Sequence, residues 1–164
     1  DEKRMAALGA FGEIYAQVYA LDTYERYVHA YEKVIGERQK RYLNYRSLIK
    51  NGVRLCGATD LPLLIPSIPE SIYYGCANYG SDHNKRINPE NGLTVQEMID
   101  AWTINSQYAM EREKELGSIE MGKKADLVIF DRNIFKTPIE EMLLVQVEKT
   151  MVNGKIVYTK EEEL

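Results

Sequence analysis

The segment "RLCGATDLPL", residues 54–63, begins as an apolar run and ends at a lone carboxylate, Asp60, two residues before Pro62. Residues 53–58 are almost all apolar, which is typical of a short strand buried on both faces of a parallel sheet. In parallel barrels the active site is built at the C-terminal ends of the strands. The segment therefore predicts a strand that places Asp60 for chemistry. An N-cap or a solvated loop residue is the alternative for Asp60.

The sequence before this strand alternates between helix and strand patterns. It predicts the end of a helix at residues 2–9, a strand within residues 9–20, a helix from Thr23 to Gly36 with apolar positions at helical spacing, and a second helix over residues 37–50. This order of helix, strand, helix, helix and strand is the alternation of a parallel α/β fold.

A long loop is predicted after Asp60, because proline and glycine recur through residues 61–92. Thr94 and Glu97 then have the spacing of a capping box and predict the start of a helix. A second helix is expected after a break near Asn105.

The pattern changes to β beyond Gly117. Residues 125–130 predict a strand, and two β-rich runs flank Asn153 and Gly154, a dipeptide that is a strong hairpin signal. We therefore divide the chain into an α/β part, residues 1–114, and a small β part, residues 115–164.

The composition is that of a globular protein of 164 residues, 45% hydrophobic and 28% charged. A net charge of -4 with scattered basic residues argues against nucleic acid as the main partner. No apolar run reaches the ~20 residues of a membrane helix, so no membrane partner is expected. The two cysteines, Cys56 and Cys76, have neither disulfide nor metal spacing. Reduced thiols and a cytoplasmic location are expected.

Several motifs, in the same order and spacing, resemble the metal-dependent amidohydrolase superfamily, and more narrowly its branch of formamide deformylase-like proteins. They are "YRSLIKNGVRLCGATDLPL" (45–63), "LTVQEMIDAWTINSQYAMERE" (93–113), "ELGSIEMGKKADLVIFDRNIF" (115–135) and "TMVNGKIVY" (150–158). The resemblance implies the C-terminal part of a (β/α)8 TIM barrel, about strands seven and eight, followed by the C-terminal part of a small β-sandwich. Its match to residues 1–40 is weak.

The resemblance also implies a chemistry, the hydrolysis of carbon–nitrogen bonds other than peptide bonds in a small amide-type substrate. Asp60 stands where the family keeps the aspartate of strand eight, which binds a divalent metal, zinc in the complete enzyme, and takes a proton from the attacking water. Thr59 replaces the usual serine before it.

The family's other metal ligands, a His-x-His pair, a Lys or Glu and two further histidines, have no counterpart here. The only histidines are His29, in a helical pattern, and His83, in the long loop. A whole barrel needs at least about 200 residues. We therefore expect a C-terminal fragment that is inactive alone, holds no tightly bound metal, and self-associates or pairs with the missing N-terminal portion. A non-catalytic remnant or binding module with the same fold is the alternative function.

Two further residues are candidates for substrate contact. His83 lies in a loop on the expected active-site face, although an ordinary loop histidine is the alternative. Arg46 precedes the strand and could reach the pocket, although a surface ion pair is the alternative.

Overall fold

A computed structural model describes residues 1–60 and 67–161. The helices are α1 (Glu2–Ala7), α2 (Tyr24–Ile35), α3 (Tyr45–Lys50), α4 (Ile68–Ala77), α5 (Val95–Trp102) and α6 (Ile104–Ala109). The strands are β1 (Phe11–Ile14), β2 (Arg54–Gly57), β3 (Leu127–Phe130), β4 (Val147–Val152) and β5 (Lys155–Thr159). Short 3₁₀ segments occupy Ala16–Leu21, Gly36–Arg41, Pro89–Asn91 and Ile139–Leu144. The chain is thus a mixed α/β protein.

Strands β1 and β2 form a parallel pair, in which Phe11 lies opposite Arg54 and Ile14 opposite Gly57. Parallel strands require a long crossover, and here it contains α2 and α3. Ile14 and Leu55 are almost completely buried against the helices. The strand predicted over residues 53–58 is confirmed, with β2 at its centre, but it is buried on one face only, because Arg54 is exposed.

Helix α2 confirms the helix predicted between Thr23 and Gly36. The Thr23 side chain accepts a hydrogen bond from the backbone amide of Arg26, as an N-cap does. Gly36 ends the helix with a φ of +57°, a positive value that glycine adopts without steric cost.

Two elements predicted before β2 are shorter in the structure than the sequence suggested. The strand expected within residues 9–20 stops at Ile14, and the chain turns into the 3₁₀ segment at Ala16. The helix expected over residues 37–50 is divided, because Leu43 has a φ of +52° and Asn44 then caps α3 by accepting a hydrogen bond from the Ser47 amide.

The long loop predicted for residues 61–92 is wrong in part, because it contains helix α4. Ser67 caps this helix by accepting from the amide of Glu70, and Pro69 fits its first turn, where no backbone donor is needed. Asn78 ends α4 in the left-handed conformation. Residues 61–66, with two of the prolines behind the loop prediction, lie outside the described residues.

Helices α5 and α6 confirm the two helices predicted after this region. Thr94 and Glu97 exchange both hydrogen bonds of a capping box at the start of α5. The break between the helices falls at Thr103, two residues before the position expected from the sequence.

Strands β3, β4 and β5 form an antiparallel sheet in that order. The turn between β4 and β5 places Asn153 and Gly154 at positive φ, +49° and +76°, which confirms the predicted hairpin. Apolar side chains of this sheet remain exposed, among them Val128, Ile156 and Val157.

One apolar core joins the two parts of the chain. Ile134, Met142 and Val145 from the second part belong to the same buried cluster as Ile72 and Met98 of α4 and α5. The boundary near residue 114 stays a prediction. Within residues 1–60 and 67–161, none of the helices has the length and apolar character needed to span a membrane.

The contact between β2 and α5 depends on the absence of a side chain at Gly57. A Cβ added there would stand 2.6 Å from the Trp102 ring. Gly57→Ala should therefore lower the free energy of unfolding by about 1–3 kcal/mol through overpacking. Denaturant unfolding of Gly57→Ala, Trp102→Leu and the double variant measures this. The two single costs should be less than additive, and strict additivity would contradict the contact.

Candidate active site

Asp60 lies three residues beyond the C-terminal end of β2 and its side chain is exposed. Its φ is +55°, a left-handed conformation that aspartate tolerates better than most residues other than glycine. The position is therefore a turn at the strand end, from which the carboxylate reaches solvent on the carboxyl side of the parallel pair.

A group of polar side chains shares this end of the pair with Asp60. Glu13 and Cys56 lie opposite each other in the register, on the strand face turned away from buried Ile14 and Leu55. A hydrogen bond with the Glu13 carboxylate raises the pKa of Tyr15, and burial and the negative charge of Asp60 raise it further. Burial also raises the pKa of the Cys56 thiol. The Tyr15 phenol thus stays protonated at neutral pH and can donate a hydrogen bond.

A buried glutamine ties this strand end to α4. Gln17 donates from Nε2 to the Ala58 carbonyl at 2.8 Å, and its Oε1 accepts from the Ser71 hydroxyl at 3.3 Å. Sequence reasoning missed Glu13, Tyr15 and Gln17. Only Glu13 leaves a signal, as one charged residue in the apolar run "FGEI".

His83 is exposed and held by aromatic neighbours. Its Nδ1 lies 2.7 Å from the Tyr73 hydroxyl, and its ring stacks on Tyr73 and Tyr79. Its loop is attached to the start of α2, where the Ser81 amide donates to the Asp22 carbonyl at 2.8 Å. The place of His83 on the active-site face stays a prediction. Among the described hydrogen bonds and ion pairs, none joins His83 to Asp60.

Arg46 is held by protein groups in this structure. Its guanidinium pairs with Glu97, and it donates from two nitrogens to the Gly92 carbonyl at 3.1 and 2.6 Å. These contacts match the ion-pair alternative for Arg46. A substrate contact by Arg46 stays a prediction. Burial opposes ionisation of Glu97, but hydrogen bonds from Arg46 and Thr94 outweigh burial and lower its pKa.

His29 lies on the exposed surface of α2, where its Nδ1 lies 2.8 Å from the Glu25 carbonyl oxygen. It is therefore engaged within its own helix.

The described residues do not by themselves form a metal site. Across residues 1–60 and 67–161, no three His, Cys, Asp or Glu side chains gather as a metal would require. A catalytic zinc site uses three protein ligands. Asp60 could supply one oxygen ligand, so any metal held there needs ligands from outside this part of the chain.

Comparison with known proteins gives consistent matches. The model of the amidohydrolase family matches residues 1–158. The N-substituted formamide deformylase of Arthrobacter pascens is 32% identical over 127 residues, which cover 76% of this chain and 23% of that protein. This chain therefore spans about a quarter of the length of that curated relative.

Solved structures with low sequence identity show the same fold. An amidohydrolase from Thermotoga maritima has a TM-score of 0.64 at 19% identity, covering 97% of this chain and 34% of that chain. A metal-dependent hydrolase from Pyrococcus furiosus has a TM-score of 0.61 at 20% identity, covering 82% of this chain and 26% of that chain.

The Arg46–Glu97 pair should stabilise the fold, because it links α3 to α5. Arg46→Ala should lower the free energy of unfolding by about 1–3 kcal/mol, because it removes the guanidinium from the Glu97 carboxylate and leaves the Gly92 carbonyl without its donor. The exposed Arg112–Glu115 pair provides the control, and Arg112→Ala should cost less than about 1 kcal/mol. Equal costs for the two variants would contradict this role.

The stabilisation should also depend on pH. The pKa of Glu97 is lower in the folded protein than its ordinary value of 4.5. Its contribution is therefore present above that value and is lost as the pH falls through the folded pKa. The difference in stability between wild type and Arg46→Ala should shrink below a pH of about 4.5. A difference that stays constant or grows there would contradict the prediction.

Proposed function

Because the chain belongs to the amidohydrolase family, we propose that it contributes Asp60 and part of the pocket to a hydrolase of carbon–nitrogen bonds other than peptide bonds. The family match confirms the resemblance predicted from the motifs. The observation that carries the proposal is the place of Asp60, an exposed carboxylate at the carboxyl end of a parallel strand pair. A small amide-type substrate is favoured, since one relative is named for deformylation of an N-substituted formamide.

The proposed architecture follows from the two sheets. The parallel pair β1 and β2 corresponds to strands seven and eight of a TIM barrel, within residues 1–114. The antiparallel sheet β3–β5 corresponds to the C-terminal part of a β-sandwich, within residues 115–164. The exposed side chains on the pair, with Glu13 and Asp60 among them, would then face the interior and mouth of the closed barrel.

Asp60 performs two proton transfers in the proposed reaction. It takes a proton from water as the water oxygen bonds to the amide carbon, and it then gives that proton to the nitrogen as the carbon–nitrogen bond breaks. The products are a carboxylic acid and an amine, and the carboxylate of Asp60 is restored. An exposed carboxylate with no basic partner among the described ion pairs is free to exchange that proton.

A divalent metal, with zinc the favoured identity, is part of the proposal for the complete protein. Asp60 would give it one ligand, and its remaining ligands would come from outside the described residues. The name of the Pyrococcus furiosus neighbour as a metal-dependent hydrolase supports this role.

Two neighbouring groups support substrate binding. The Tyr15 phenol lies near Asp60, and it would have to release the Glu13 carboxylate to donate to an amide carbonyl oxygen. His83 has its Nδ1 occupied by Tyr73, so its other ring nitrogen can face a ligand. Contact of Arg46 with substrate would require release of Glu97 or Gly92.

The proposed macromolecular partner is the upstream portion of the same enzyme. It would cover the face of the parallel pair that carries Glu13 and the apolar surface of the β3–β5 sheet. In its absence, the same surfaces favour self-association.

Asp60→Asn should abolish the proton transfers in the complete protein while preserving the fold. Asparagine is nearly isosteric and also tolerates a positive φ. Turnover should fall by about 10²–10⁴-fold, measured as amine released from an N-alkylformamide. Asp126→Asn, in the β part, is the matched control and should retain activity. Near-normal turnover in Asp60→Asn would refute the assignment.

The 164-residue chain alone should associate with itself. Light scattering over a wide dilution series should show a mass that rises with concentration. Replacing Ile156 and Val157 together by threonine should weaken association and the binding of a hydrophobic dye, because both side chains are exposed in β5. Thr159→Ser is the control. A stable monomer that binds no dye would contradict the proposal.

A further inference from the structure

Gln17 and Ser71 form a polar pair inside the apolar core. Gln17 is 1% exposed and Ser71 is 0% exposed. Burying a side-chain amide is unfavourable unless its hydrogen-bonding groups find partners. Here the amide nitrogen donates to the Ala58 carbonyl, and the amide oxygen accepts from the Ser71 hydroxyl. The pair therefore links the end of β2 to helix α4.

The Ala58 carbonyl lies where the backbone pairing of the two strands stops. The Ala58 amide still donates to the Ile14 carbonyl at 3.0 Å. From Ala16 onward the first strand has turned into a 3₁₀ segment and runs away from β2. The side chain of Gln17 therefore takes the place of a backbone donor, and both backbone groups of Ala58 are held by the β1 side of the pair.

Asp60 follows Ala58 by two residues, in a left-handed backbone conformation. Such a conformation at a residue other than glycine persists when the surrounding structure fixes it. A carboxylate that moves a proton must be held within a few tenths of an ångström of its productive position. The hydrogen bonds at Ala58 fix the backbone two residues before the turn that carries this carboxylate.

We infer that Gln17, held in place by Ser71, is a positioning residue for Asp60. It does not touch the reacting atoms. It fixes the carbonyl of Ala58, and so fixes the direction in which the chain leaves β2 and presents the Asp60 carboxylate. The inference rests on the proposed hydrolysis, because it assigns the geometry that this reaction needs.

The experiment uses the complete protein and the release of amine from an N-alkylformamide. Gln17→Met keeps the side-chain length but removes both hydrogen bonds, and kcat should fall about tenfold to a hundredfold with KM changed less than about threefold. Ser71→Ala removes the hydrogen bond to the Gln17 amide oxygen but leaves the hydrogen bond from Gln17 to the Ala58 carbonyl. It should therefore lower kcat by a smaller factor. Asn91→Ala is the matched control, since Asn91 is a buried amide that donates to the Lys40 carbonyl at 3.3 Å. It should keep its kcat.

A second measurement does not depend on activity. Hydrogen exchange at the Ala58 amide should be at least about tenfold faster in Gln17→Met than in Asn91→Ala, because the strand end is no longer held. Unchanged exchange there would overturn the inference. So would a normal kcat in both Gln17→Met and Ser71→Ala, in a protein that Asp60→Asn inactivates.

The possible failures are distinguishable. If the wild-type protein releases no amine, the proposed hydrolysis fails, and the exchange measurement alone decides whether Gln17 holds the strand end. If Gln17→Met does not fold, kcat and hydrogen exchange at the Ala58 amide are both measured on Ser71→Ala.

Discussion

The parallel pairing of β1 with β2 is the constraint on which the rest of the structure depends. It joins segments separated by the crossover that contains α2 and α3. Parallel pairing brings the carboxyl ends of both strands to one edge. The residues after β1, Tyr15 and Gln17, therefore meet the residues after β2, Ala58 and Asp60. Without this register, Asp60 would be an isolated loop carboxylate.

The two faces of the β1–β2 pair lie in different environments. On one face, Ile14 and Leu55 pack into the core, and Gly57 lets the Trp102 ring approach the strand. On the other face, Glu13 lies opposite Cys56. Gln17 crosses between these environments, because its amide is buried with the core while its hydrogen bond fixes the backbone of the polar edge. Packing of the helices and placement of the carboxylate are thus coupled through a few residues.

Local patterns in the sequence predicted the elements that local chemistry determines. Helix α2 has periodic apolar residues and caps at both ends, α5 has its capping box, and the Asn153–Gly154 turn requires two positive φ values. Helix α4 was missed because its proline and glycine suggested a loop. Pro69 occupies a first turn that tolerates it, and Gly75 lets Met98 pack closely against the helix.

The candidate site was predictable only in part. Asp60 could be identified from the sequence, because it is the carboxylate that follows an apolar strand pattern. Gln17 was not, because its partners Ala58 and Ser71 are 41 and 54 residues away in sequence. The role of Arg46 likewise depends on the carbonyl of Gly92 and the carboxylate of Glu97, which the fold alone brings within reach.

The central claim is that Asp60 belongs to the catalytic centre of a family hydrolase. The most direct measurement is a crystal structure of the complete protein with its native metal. The claim predicts an Asp60 carboxylate oxygen within about 2.0–2.2 Å of the metal, the distance for zinc. A metal centre complete without Asp60, with that carboxylate more than about twice this distance away, would contradict it.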